Sequence, residues 1–316
     1  MAGYLAELGP EDEVIFPAYT FVSTVLAFAS RGIKPVLVDV QPDTFNIDTR
    51  LIEEKITNRT RAIVTINYNG VSCDYTEIRR ICDSYGLFLV EDNAHGLGGV
   101  SHAGALGTFG DISVTSFHET KNVSCGEGGA ITLNDPALSE RAEILRDKGT
   151  NRSKFFRGEV DKYNWVDWGS SWVMSDLLAE VLAHQLDKLD SILRRRREIW
   201  QEYYLSLGDW GHEQGLMLPP SPALHPNTAH VFFLVLPRPD LQDEFIEHMR
   251  LGGVHSVVHY QSIAESPMGK RLGLSGGQFP NAERGHSHLV RIPIFNSMTK
   301  SEVNRVIEQA QEFRVS

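Results

Sequence analysis

The sequence predicts an α/β protein: a mostly parallel central sheet with helices on both faces, followed by a smaller C-terminal α/β unit. Three observations predict it. Apolar, β-branched runs alternate with amphipathic helical stretches through the first part of the chain. Those runs are apolar on successive residues rather than alternate ones, as strands buried on both faces require. A Pro-rich loop then leads into a second strand–helix series, which divides the chain into residues 1–206 and 207–316.

The elements follow in order. "EVIFP" (13–17) is the first strand, and an amphipathic stretch at 21–31 follows it. "KPVLVDV" (34–40) is the second strand, with a further amphipathic, helical stretch at 48–57. "TRAIVTIN" (60–67), a helix over 74–85, and "LFLVED" (87–92) continue the alternation. "DISVTSF" (111–117) and "GAITLN" (129–134) complete the strand set. "PALSERAEILRDKG" (136–149) is a helix with Pro at its start and Gly at its stop. Residues 150–172 are polar, aromatic and basic without a period, too long for a mere connector. Ser175 caps a long helix running to about 206, on which "RRRRE" (194–198) reads as a solvated face. After the loop "GLMLPPSPALHP" (215–226) come a strand at 230–236, a helix at 240–251 and a strand at 254–259. Two helices near 281–290 and 299–313 close the chain. The opening "MAGYLAELGPEDEVIFP" reads as the end of a helix, which leads us to expect that part of the first domain precedes it.

Composition excludes several classes. A formal charge of −11 and a pI near 5.5 argue against non-specific nucleic-acid binding. No apolar run approaches the length that spans a bilayer. Cys73, Cys82 and Cys125 show no CxxC spacing and suit a reducing, cytoplasmic setting. Cys125, although close to Lys121, reads as a small packed residue. No metal is expected.

The chemistry gathers where core strands end. Asp92 and His95 stand in "VEDNAHG", and Ser116 and Lys121 in "SFHETKNVSCGEGG" (116–129). Lys121 falls on a short loop between two core strands, where a bare ammonium is disfavoured. Either the ammonium reaches solvent or the amine has a covalent partner. An acid at a strand end, a hydroxyl and a lysine make a set suited to pyridoxal 5′-phosphate (PLP). The lysine would hold the aldehyde as a Schiff base, and Asp92 would pair with the protonated ring nitrogen. Ser116 and neighbouring N–H groups would take the phosphate, and Phe21 or Tyr19 of "FPAYTF" would cover the ring. The residues alone leave other readings open, since a strand-end Asp is often a helix cap or magnesium ligand and a loop lysine is usually solvated.

The runs "FPAYTFVST", "VEDNAHG" and "GTFGDISVTSFHETKNVSCGEGG" together resemble the DegT/DnrJ-type sugar aminotransferases of fold type I, over essentially the whole chain. The block "ILRDKGTNRSKFFRGEVDKYNWVDWGSSWVMSDLLAE" (144–180) is similar to the dTDP-4-amino-4,6-dideoxygalactose transaminases of surface-polysaccharide synthesis. The resemblance implies PLP as cofactor, L-glutamate as amino donor and a dTDP-4-keto-6-deoxyhexose as acceptor. It makes Lys121 the catalytic, cofactor-bearing residue and Asp92 the partner of the ring nitrogen. His95 then contacts the ring hydroxyl, Ser116 the phosphate, and Phe21 stacks on the ring. It also implies a homodimer, in which Ser171 reaches the neighbour's phosphate. Arg152, Lys154, Arg157 and Lys162 are expected to clamp the nucleotide diphosphate. Tyr68 of "INYNG", and His259 and Tyr260 of "HYQSIAES", are placed beside the sugar. Two departures, Asn67 and Ala264 where relatives often carry histidine, lie near that expected pocket. A sugar dehydratase is disfavoured because those relatives typically replace the lysine by histidine. A shortened, non-catalytic chain or partner subunit of the same fold is the alternative.

Overall fold

A computed structural model describes residues 1–275 and 278–315. A short helix α1 (Ala2–Leu5) precedes β1 (Glu13–Pro17), after which α2 (Val22–Ala29) and β2 (Lys34–Val38) form the first crossover. β3 (Thr60–Ile66), α3 (Tyr75–Tyr85) and β4 (Phe88–Asp92) repeat the unit. Asp74 caps α3 by accepting the Glu77 N–H at 3.1 Å, and Gly86 ends it at φ 65°. A small hairpin, β5 (Val100–Ser101) and β6 (Gly104–Ala105), leads to β7 (Ile112–Ser116) and β8 (Gly129–Leu133). These strands make a six-stranded sheet in the order β2-β1-β3-β4-β7-β8, parallel except for β8.

Both faces of the sheet are buried. Val14, Phe16, Ala62 and Val64 enter one apolar cluster, while their neighbours Ile15 and Ile63 enter another on the opposite face. This two-sided burial is why the strands read as unbroken apolar runs.

Beyond the sheet lie α4 (Ala137–Arg146), α5 (Arg152–Phe156), α6 (Asp176–Leu186) and α7 (Leu189–Glu213). The second unit comprises β9 (Phe232–Val235), α8 (Leu241–Leu251), β10 (Val257–Val258), α9 (Pro267–Arg271), α10 (Pro280–His288), β11 (Leu289–Ile292) and α11 (Lys300–Glu312). Its antiparallel sheet has the order β10-β11-β9.

Three sequence expectations are corrected. Residues 48–57 form two 3₁₀ turns, Thr49–Leu51 and Glu53–Lys55, because the Asp48 side chain accepts from Arg50 N–H and tightens the entry. The long helix from Ser175 breaks at Lys188, where φ is −101° and ψ 5°. Its two pieces serve different cores: Leu178 and Leu182 of α6 pack near Phe117, whereas α7 carries Ile199, Trp200, Tyr203 and Leu207 into the core of the second unit. α7 runs on to Glu213, so the expected division at 206 falls inside it.

The "RRRRE" run is the third. Arg196 is buried, and burial lowers its pKa to about 10. Its guanidinium donates to the carbonyls of Ala229 (2.9 Å) and His230 (2.7 Å). Arg196→Met is expected to strand both carbonyls and destabilise the protein by ~1–3 kcal/mol. Equilibrium urea unfolding checks this, and an unchanged midpoint would contradict it.

Candidate active site

The C-terminal ends of β4 and β7 set the geometry, as in other open parallel sheets. Asp92 is the last residue of β4. Its Oδ1 accepts the Ala94 N–H at 3.0 Å and its Oδ2 accepts the Thr24 hydroxyl at 2.7 Å. Thr24, on α2, accepts in turn from Thr20 at 3.1 Å. Ser116 ends β7, and the loop after it folds back on itself. Lys121 N–H donates to the His118 carbonyl, and Glu119 N–H to that of Gly126, each within 3.0 Å. Gly126 adopts φ 92°, which a side chain would strain.

A cavity of about 910 Å³ opens at these strand ends, and Phe21, Asp92, His95, Ser116 and Lys121 all line it. The second unit contributes His259 and Tyr260 to the wall. Burial lowers the Lys121 pKa; Arg291 pushes it the same way and Asp92 opposes the shift. Burial likewise raises that of Asp92, against hydrogen bonds from Thr24 and Ala94 and the charge of Lys121. The amine and the acid thus line one partly dry space and feel each other's charge, each biased by burial toward its neutral form. His95 is held well below its ordinary value by burial and by the cations and imidazoles around it. Its Nδ1 accepts the Asn69 N–H at 3.3 Å, so its Nε2 carries the proton and donates to the Tyr260 hydroxyl at 3.0 Å. Tyr260 sits at φ 53°, a strained backbone at the cavity wall.

Other predicted residues lie elsewhere. Tyr68 is fully buried behind the wall, its hydroxyl 2.6 Å from His259 Nδ1, so it holds His259 and does not line the cavity. Asn67 belongs to the core, donating to Glu91 at 2.8 Å and accepting from Tyr75 at 2.9 Å. Ala264 is buried in the main apolar cluster. Neither lines the cavity. Within this chain Arg152, Lys154, Arg157, Lys162 and Ser171 are also off the wall. Lys154 pairs with Glu140 at 2.6 Å, Arg157 with Glu143 at 2.8 Å, and Arg152 lies 3.8 Å from Asp147. Ser171 is exposed, bridged to Asp147.

Sequence reasoning missed Thr24, His230 and Arg291, all on the cavity wall. Arg291, in β11, has its Nε buried with no protein acceptor among the described residues. It missed Glu91 as well. That fully buried carboxylate accepts from Asn67, from Ser113 and from the N–H groups of Gly107, Phe109 and Gly110, at 2.6–3.3 Å. It pins the loop beside β7.

The DegT/DnrJ/EryC1/StrS aminotransferase family model matches residues 1–311. The chain belongs to this family. It is 34% identical over 311 residues to the dTDP-3-amino-3,6-dideoxy-alpha-D-galactopyranose transaminase of Aneurinibacillus thermoaerophilus, covering 97% of this chain and 80% of that protein. It is 30% identical over 311 residues to the dTDP-4-dehydro-2,3,6-trideoxy-D-glucose 4-aminotransferase of Saccharopolyspora spinosa, covering 97% and 79%. The crystal structure of the aminotransferase TlmJ from Streptoalloteichus hindustanus superposes with a TM-score of 0.89 at 30% identity, over 98% of this chain and 81% of that one. The fold is therefore fold type I, and DegT/DnrJ/EryC1/StrS aminotransferases depend on PLP.

The cavity fits that cofactor. It joins a desolvated lysine, a buried acid and an aromatic ring in one space, and Arg291, whose Nε has no acceptor among the described residues, adds a cation to its wall. When bound, PLP supplies an aldehyde that carries the amino group and a ring that takes up electrons as a Cα proton leaves. Among the described residues no helix is long and apolar enough to cross a membrane, and all three cysteines are free and buried.

Proposed function

We propose that this protein moves the amino group of L-glutamate to C4 of a dTDP-4-keto-6-deoxyhexose, forming dTDP-4-amino-4,6-dideoxygalactose for surface-polysaccharide synthesis. The observation that carries the reading is the shared cavity of Lys121, Asp92 and Arg291. Lys121 is the tether and the base. Its lowered pKa leaves the amine able to take the Cα proton and return it. Asp92, held in place by Thr24 and the Ala94 N–H, keeps the pyridine nitrogen protonated. Ser116 would take the phosphate and Phe21 would cover the ring, while His95, its two nitrogens engaged by Asn69 and Tyr260, lines the wall without a free group for the ring hydroxyl. Arg291 receives a carboxylate of the donor: it lines the cavity, its buried Nε has no acceptor among the described residues, and a guanidinium can fork onto a carboxylate. His259 and Tyr260 face the sugar, with Tyr68 fixing His259 from behind.

The active form in this reading is a homodimer. Trp165, Trp168 and Leu177 are 77%, 67% and 82% exposed, an apolar display that isolated chains rarely present. Pairing through it would offer Ser171 and the cations Arg152, Lys154, Arg157 and Lys162 to the neighbour's cavity.

The test is direct. Protein loaded with PLP should convert L-glutamate and the dTDP-4-keto sugar to 2-oxoglutarate and an amino sugar nucleotide. Arg291→Gln should raise the KM for glutamate by about one to two orders of magnitude, the equivalent of a lost charge-assisted hydrogen bond of ~1.5–3 kcal/mol. The KM for the sugar should stay the same. Transfer only to a 3-keto sugar would refute the C4 assignment, and an unchanged glutamate KM would refute the role of Arg291.

A further inference from the structure

One imidazole on the cavity wall takes no part in holding the acid, the lysine or the donor carboxylate. His230 stands just before β9 on a backbone fixed from both sides. Ala229 is strained at φ 53°, and Arg196 holds the carbonyls of Ala229 and His230. The Thr228 hydroxyl donates to the His95 carbonyl at 2.6 Å. The ring packs on that of His95, with centroids 4.0 Å apart.

The direction of its hydrogen bonds is determined. Asn122, next to Lys121, donates its Nδ2 to the Thr228 carbonyl at 3.0 Å. Its Oδ1 is therefore the atom 3.0 Å from His230 Nδ1, and that nitrogen carries the proton. Burial, Lys121 and Arg196 hold the ring well below its ordinary pKa, so it is neutral. A neutral imidazole has one proton, which leaves Nε2 an acceptor. It is not among the buried side-chain atoms left without a partner, and no described residue donates to it, so it opens to the cavity that His230 lines.

We propose that His230 binds ligand in the active site, its Nε2 accepting a hydrogen bond from a hydroxyl of the molecule held beside Lys121. The inference rests on the aminotransferase reading, in which two sources of such a hydroxyl exist: the pyridine ring of PLP and the hexose. A neutral acceptor favours a hydroxyl over a keto oxygen or a carboxylate, neither of which has a proton to give.

Two variants test it. His230→Asn keeps an amide nitrogen near the place of Nδ1, and with it the bond to Asn122, but loses the cavity-facing acceptor. His230→Gln puts an amide oxygen near the place of Nε2. The Asn variant should bind one of the two ligands about tenfold more weakly, and the Gln variant should recover most of that loss. Weaker PLP binding in an absorbance titration, with a shifted pH midpoint of the bound cofactor's spectrum, identifies the ring hydroxyl. An unchanged PLP titration with a raised sugar KM identifies the hexose. If the Asn variant matches wild type in all three measurements, or the Gln variant is as impaired as the Asn variant, the proposal falls. Should the Asn variant not fold, the Gln variant decides alone: near-wild-type PLP affinity and sugar KM support the proposal, and loss of either overturns it. The wild-type titration tests the functional reading by itself, so a failure confined to the variants counts against His230 only.

Discussion

Lys121→Ala is expected to abolish turnover and the long-wavelength absorbance that PLP acquires on this protein. The proton transfers alone are worth ~10²–10⁴-fold, and the covalent tether is lost with them. The direction of the pKa shift gives a second, sharper readout. Burial lowers the Lys121 pKa, with Arg291 adding to the shift and Asp92 opposing it. A lowered pKa means that more of the amine is unprotonated at a given pH than on an exposed lysine. PLP followed by borohydride should therefore label Lys121 at a pH where the other lysines stay protonated. Labelling should stop as the pH falls through its lowered value. Peptide mass spectrometry reads the site, and even labelling across all lysines would remove the basis for Lys121 as base and tether.

Asp92→Asn is expected to weaken PLP binding by about one to two orders of magnitude, the loss of one charge-assisted hydrogen bond of ~1.5–3 kcal/mol, and to lower turnover further. The substitution is a clean one. An amide oxygen still accepts from Thr24 or from the Ala94 N–H, so the β4 terminus keeps its shape. What disappears is the negative charge. Burial raises the Asp92 pKa against the hydrogen bonds from Thr24 and Ala94, and a protonated ring nitrogen would draw the acid back toward its ionised form. An absorbance titration checks the affinity, and unchanged binding with unchanged turnover would show that the acid does not face the ring.

Strand positions were legible because the large sheet is buried on both faces, so each strand announces itself as an uninterrupted apolar run. Lys121, Asp92, His95 and Ser116 were legible because they follow strand ends within short, distinctive stretches. Arg196 was not. Four arginines in a row look like a solvated face, and only the packing of α7 against residues 229–231 turns one of them inward. Arg291 and His230 carry no local signal at all. Each is a single polar residue in or beside a strand of the second unit, and its meaning comes from the fold bringing that strand over the lysine loop. Thr24 was hidden in the same way, as an ordinary helix residue until Asp92 lies opposite it.

Glu91 and Asp92 are consecutive on β4, yet one is a rivet beneath the sheet and the other lines the cavity above it. Pleating decides which is which, since neighbouring side chains on a strand point in opposite directions. A frame slip of one position in β4 would exchange an anchoring acid for a cavity-facing one without changing the composition of the protein. Parity along five residues is thus as much a determinant of activity as the identity of either acid.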